Sequence, residues 1–218
     1  MIYIIIFLII GIITVSSFIS KKEQIKEKKV FQNEMSSFDL NVRIPKPNSD
    51  FVELWKNEMQ KMGLKVEFHP EFDIENQSGY LPFNIKVIDT SFTNKYGTEK
   101  WITGFELLIS DFDSQDYFSY FDQNELDAIP ENKKKLYKKA KLDFYFSAKP
   151  KYDTAEFRIT WYAAAALTKL SNGILSEAYS GKEFTALEVV EIAINKTKKI
   201  ENNIQDKNWN LKKFLNWK

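Results

Sequence analysis

In residues 159–175, ITWYAAAALTKLSNGIL, four consecutive alanines stand between an aromatic pair and an Asn-Gly. At helical spacing Phe157, Trp161 and Ala165 share one face, while Ile159, Tyr162, Ala163, Ala166 and Leu170 share the neighbouring one. A helix that is apolar almost all round belongs inside a domain. Ala163 to Ala166 add no bulk, so another backbone or a sheet can approach closely there, and the larger rings before them fill the wider gap. Asp153, with Glu156 three residues on, caps the start, and Asn172-Gly173 stops the helix after Ser171. Ile174 and Leu175 then form a short extended piece. The stretch is expected to be the central packing helix of its domain.

Strand patterns lie upstream of it. FDLNVRI (38–44) alternates Phe38, Leu40, Val42 and Ile44 with polar neighbours, and Pro45 and Pro47 end it. A helix follows, with Phe51, Leu54, Trp55, Met59 and Met62 at helical spacing and Gly63 at its end. LKVEF (64–68) resumes the period of two. Further strands are expected at 83–89, 101–110 and 142–148, with inward sets Phe83, Ile85, Val87; Phe105, Leu107, Ile109; and Leu142, Phe144, Phe146. A polar helix is expected from Ser114 to Phe121. After the central helix, Thr185 and Glu188 form a capping box that opens a last long helix to about Lys199, with Leu187, Val190 and Ile194 on one face. WNLKKFLNWK closes the chain as an amphipathic tail, read as a final packing helix. Strands early and helices late make this an α+β chain, with a mostly antiparallel sheet of about five strands packed by helices.

Composition agrees with one domain. Hydrophobic residues are 44% and aromatics 15% of 218 residues, too many for a disordered chain. The net charge of +1 gives no global field toward nucleic acid or an anionic surface. There are no cysteines, which removes disulfides, thiolate metal sites and a Cys nucleophile.

The first 20 residues, MIYIIIFLIIGIITVSSFIS, carry no charged side chain, and about 20 apolar residues span a bilayer core. KKEQIKEKK follows with five Lys and two Glu, so the positive-inside rule puts the following chain in the cytoplasm. Residues 1–20 are thus expected to be a transmembrane anchor, 21–37 a juxtamembrane linker and 38–218 a single α+β domain. The alternative is a cleaved signal peptide, with Val15-Ser16-Ser17 as the cleavage site and a periplasmic domain.

The chemistry-bearing residues are mostly carboxylates. From Asp111 to Glu131 the acids Asp111, Asp113, Asp116, Asp122, Glu125, Asp127 and Glu131 occur with no Lys or Arg among them. Six of them, Asp111, Asp113, Asp116, Asp122, Glu125 and Asp127, are the candidate acidic face for a basic protein partner, since complementary charge raises on-rate and selectivity. D-x-D-x-x-D also offers oxygen ligands for a hard cation, but the Gly at the bend and the terminal Glu of a calcium loop are missing. The lysines at 133, 134, 135, 138, 139 and 141 follow at once without interleaved Arg, so the two fields offset each other and nucleic acid is not expected. His69 is the only histidine and has no G-x-S-x-G partner; neither G-x-G-x-x-G nor G-x-x-x-x-G-K-[ST] occurs. No catalytic residue, metal site or cofactor is assigned.

From Trp161 to Ala193, an Ala-rich helix ending in LSNGIL, a polar turn with Ser180-Gly181-Lys182 and an FTALEVV helix opening follow one another. This module, about one-sixth of the chain, resembles a C-terminal module of small uncharacterised bacterial proteins, some of them similar to immunity proteins of contact-dependent or type VI toxin systems. The related pattern often carries an Asp after the short strand, where this chain has Glu177. The resemblance implies protein binding and no mechanism, and it transfers no functional residue; the expected anchor at residues 1–20 puts the address at a bacterial inner membrane with the domain in the cytoplasm. The expected function is a membrane-anchored protein-binding module that neutralises a toxin by occlusion. The alternatives are a carboxylate-based or metal-assisted hydrolase using Asp111, Asp113 and Asp116, and a structural envelope-associated protein.

Overall fold

The strand β1 (Phe38–Ile44) has the strict alternation its sequence demands: Phe38, Leu40, Val42 and Ile44 are buried and the residues between them half-exposed. It lies inside an eight-stranded, wholly antiparallel sheet with the order β2-β3-β4-β5-β1-β6-β7. The other strands are β2 (Leu64–Phe68), β3 (Ser78–Val87), β4 (Trp101–Asp111), β5 (Leu142–Ala148), β6 (Ile174–Glu177) and β7 (Glu183–Thr185). β8 (Lys212–Lys213) pairs with the start of β4, on the edge that β5 uses further along. The computed structural model describes residues 37–74, 78–89, 91, 93–150, 153–205 and 208–217, all within one compact unit, Ser37–Lys218.

Among these residues the helices are α1 (Phe51–Lys61), α2 (Thr93–Tyr96), α3 (Ser114–Ser119), α4 (Gln123–Ala128), α5 (Glu131–Lys139), α6 (Thr154–Ser171) and α7 (Val189–Asn203). α6 is the central helix, and it crosses β4, β5, β1 and β6 on one face of the sheet. Ala163, Ala164, Ala165 and Ala166 have no exposed surface. The indole of Trp55 in α1 donates to the carbonyl of Ala163 at 2.8 Å, an approach that small side chains permit. Phe38 packs on Phe157 and Trp161 at the other end, with ring centroids 4.9 and 6.3 Å apart. Asp153 caps α6 by accepting from the Ala155 amide, and Asn172 ends it in the left-handed region at φ 50°. Gly173 then passes under β1, where a Cβ would stand 2.6 Å from the carbonyl of Arg43. That clearance lets β6 join the sheet straight from the helix.

α7 packs beside α6 through a fully buried ion pair. The Arg158 guanidinium meets the Glu201 carboxylate with Nε–Oε1 2.8 Å and Nη2–Oε2 2.5 Å. The hydroxyl of Tyr96 donates to Glu201, and Arg158 Nη1 donates to the hydroxyl of Tyr162.

Five features differ from the sequence expectation. The sheet has eight strands rather than about five. β3 begins at Ser78, since the turn-like residues of SGYLP pair with β4; β2 has ended at the Phe68–Phe83 pair, so Pro82 lies in an edge segment where a missing N–H costs no ladder bond. The expected preceding transmembrane helix has no counterpart: among the described residues no helix is long and apolar enough to cross a membrane, and residues 1–20 lie outside them. Even α6, 18 residues long, carries Glu156, Arg158 and Lys169. The α7 stripe is Val189, Ala193, Thr197, Ile200 and Glu201, while Leu187 precedes the helix and is 99% exposed. Finally, the tail is extended rather than helical, because β8 pairs with β4 and Asn210 exchanges two hydrogen bonds with Thr154.

Since Ala165 and Ala166 are enclosed on all sides, Ala165→Leu or Ala166→Leu overpacks α6 and destabilises the domain by roughly 1–3 kcal/mol. Urea denaturation reads the effect; an unchanged midpoint in both variants would show that the seam has room.

Candidate functional site

Because α1, α6 and α7 pack on one face of the sheet, alternate residues of every strand point to the other. Strand register arranges them in ranks. One rank runs Tyr80, Glu106, Ser147, Asp39; the next runs Ser78, Leu108, Tyr145, Asn41, Ser176, Glu183; a third runs Ser110, Asp143, Arg43, Ile174, Thr185. The third rank is roofed. Arg43 lies beneath the rings of Phe112, Tyr117 and Tyr137, at 5.2, 4.7 and 5.5 Å from their centroids, and pairs with Asp143 at 3.3 Å. These cation–π contacts fasten α3 and α5 over one corner of the sheet. Lys133 and the Tyr137 hydroxyl, both on α5, meet Glu183 there. Burial pushes the Asp143 carboxyl up, against the pull of Arg43.

The first two ranks stay open in their centre. Tyr80 is 53% exposed and Leu108 48%, beside exposed Glu106 and half-exposed Tyr145, Ser147 and Asp39. Tyr80 lies across Gly104, where a Cβ would meet the ring at 2.6 Å, so only glycine lets the ring lie flat on the strand. Tyr145 hydrogen-bonds Asp39, and burial, followed by this bond, raises its phenol. Sequence alternation carried part of this signal: placing Phe105, Leu107 and Ile109 inward leaves Leu108 pointing out, and the same holds for Tyr145 between Phe144 and Phe146.

The six acids picked out from the sequence are all exposed, at the edge of the roofed corner. Several have local duties. Asp113 caps α3, accepting from the Gln115 amide at 2.7 Å. Asp122 and Glu125 make a reciprocal capping box on α4. Asp127 accepts from Gln123 at 2.8 Å, Asp116 sits in the first turn of α3, and Asp111 ends β4. None of the six forms an ion pair among the described residues. Asp111, Asp113 and Asp116 do not converge: among the described residues no group of three or more His, Asp or Glu is placed to hold a metal ion. Asp113 instead shares an open cleft of about 540 Å³ with Phe118, Lys138 and Lys141, where the acidic and basic segments meet. His69 packs edge-on against Trp217 at 5.1 Å, and its Nδ1 accepts from the Glu71 amide.

A second pair of carboxylates, Asp153 and Glu156, sits at the start of α6. Burial pushes both up, Glu156 to about 7, and Glu156 also feels the charge of Asp153. Asp153 is occupied as the cap, and Glu156 accepts from the Lys149 amide at 2.8 Å. Both therefore serve the entry into the central helix.

Comparisons with protein-family models, with curated proteins and with solved structures found no match to this chain.

Glu156 keeps its proton to about pH 7 in the folded domain, against 4.5 ordinarily. Folding therefore takes up a proton between these values, and the stability it contributes at low pH is lost as pH rises from 4.5 to about 7. Glu156→Gln keeps an acceptor for Lys149 and removes the penalty. The variant is expected to be roughly 1–2 kcal/mol more stable than the parent at pH 8 and nearly equal at pH 4.5. Thermal melts at the two values check this.

Proposed function

We propose that this domain is a protein-binding module that neutralises a basic partner by covering its working surface, as immunity proteins do. The observation that carries the reading is the set of exposed acids Asp111, Asp113, Asp116, Asp122, Glu125 and Asp127, none ion-paired among the described residues, displayed at the end of β4 and on two short helices with their caps, beside a sheet face whose central Tyr80 and Leu108 are about half exposed. A run of unpaired carboxylates speeds encounter with the opposite charge at short range and disfavours like-charged competitors, even with the lysines of α5 alongside it. The resemblance of Trp161–Ala193 to modules found with immunity proteins supports the same class of role, and that segment supplies the C-terminal part of α6, the β6–β7 pair and the start of α7.

The direct test combines the full chain with toxins encoded beside its gene, measuring affinity and survival of cells that express each toxin. Binding that weakens as salt rises, with protection of the cells, is expected. The triple variant Asp111→Lys, Asp116→Lys, Asp127→Lys is expected to slow association by tenfold or more at low salt, roughly the range that steering supplies. It spares Asp113, Asp122 and Glu125, whose loss would cost about 0.5–2 kcal/mol of helix capping and confuse the result. Absence of both binding and protection across all neighbours would rule the reading out.

A further inference from the structure

The acids visible in the sequence form the border of a surface whose centre lies on the sheet. We infer that the open ranks around Tyr80, Leu108 and Tyr145 form the contact core for a folded basic protein, one that presents an apolar patch ringed by Arg and Lys. This deepens the protein-binding reading and rests on it.

Three observations converge. First, the centre of the sheet is dressed as interfaces are. Tyr80 and Leu108 are about half exposed, and Tyr145 lies opposite Leu108 across the β4–β5 ladder. Tyr is enriched in interface cores, since it gives a large rigid contact at small entropic cost.

Second, the two carboxylates of this centre are not ion-paired among the described residues. These are Glu106 and Asp39, which flank Ser147 in the rank that Tyr80 begins. The cations that share the upper part of the face are already engaged, Arg43 by Asp143 and Lys133 by Glu183. Lys65, Lys86 and the Lys100–Glu67 pair lie toward the β2 edge, at the far end. A partner carrying Arg or Lys around its apolar patch would complement the centre; an acidic partner would meet repulsion.

Third, the patch is continuous with the acidic helices. β4 carries Glu106, Leu108 and Ser110 outward in succession and ends at Asp111, the first residue of the acidic run. A single partner surface laid along β4 would touch the apolar centre and the acidic border together. That arrangement matches a desolvated core with a polar rim.

Two peptides serve as probes. One is a helical peptide with Arg on one face and Leu and Trp on the other; its control is an Arg-rich peptide of equal charge and no apolar residue. Binding to the full chain is followed by fluorescence anisotropy, with circular dichroism as the folding control. The inference expects the amphipathic peptide to bind at least tenfold more tightly than the control, and Leu108→Ser to remove most of that advantage. Glu106→Lys provides a second variant and should weaken both peptides. Equal binding of the two peptides, indifferent to Leu108→Ser and lost in the Asp111, Asp116, Asp127 triple variant, would overturn the sheet-face assignment while leaving electrostatic docking on the helices standing. No saturable binding of either peptide would also overturn it. The broader protein-binding reading fails only on the separate toxin screen.

Discussion

The ion pair between Arg158 and Glu201 is fully buried, and the arrangement of helices over the sheet depends on its being made. Burial by itself would favour the neutral guanidine, but the hydrogen bonds and charge of Glu201 outweigh it and hold Arg158 charged. Tyr96, fully buried, is pushed well up by burial and then by the neighbouring Glu201, so it stays a neutral donor to that carboxylate. A buried pair is weak evidence for net stability, because removing two charges from water costs much of what their attraction returns. Its consequence here is positional. Each charge is tolerable only with α6 and α7 in one relative placement, and Lys95 donates to the carbonyls of Glu201 and Ile204 at the end of α7.

With α7 fixed, the small side chains of α6 find their neighbours. Ala193 and Thr197 are small buried residues of α7, and α6 also receives the Trp55 indole. Trp55 in turn stands edge-on to Phe144 and Phe146 of β5, with centroids 6.4 and 6.5 Å away. Three helices thereby crowd onto one face of the sheet. Among the described residues the opposite face carries the short helices held by Arg43, and Tyr80 and Leu108 at its centre stay about half exposed.

Much of this frame was written in local pattern. The periods of β1, β2 and β5 set their ends, because one buried face imposes strict alternation. The limits of α6 followed from Asp153 and Asn172. What escaped was set by distant partners. β7 and β8 are two or three residues long and exist because β6 and β4 offer free edges. The inward face of α7 sets Ala193, Thr197 and Glu201 between Val189 and Ile200, too few large apolar residues for a hydrophobic count to select; Leu187 carried the apolar signal and lies outside the helix. The candidate site was legible in the same uneven way. The acids announced themselves as a run, while Tyr80, Glu106, Leu108 and Asp39 come from three strands and meet only through sheet register. Ion pairing of Arg158 with Glu201, 43 positions apart, left no mark in the sequence.

A double-mutant cycle on the buried pair tests the account most directly, using Arg158→Met, Glu201→Leu and the combined variant in urea unfolding. Each single change strands a charge in the core and should cost about 3–5 kcal/mol, while the double variant should cost no more than either single. Single costs below about 1 kcal/mol that simply add in the double variant would contradict it, and would mean that the helices find their places over the sheet without this pair.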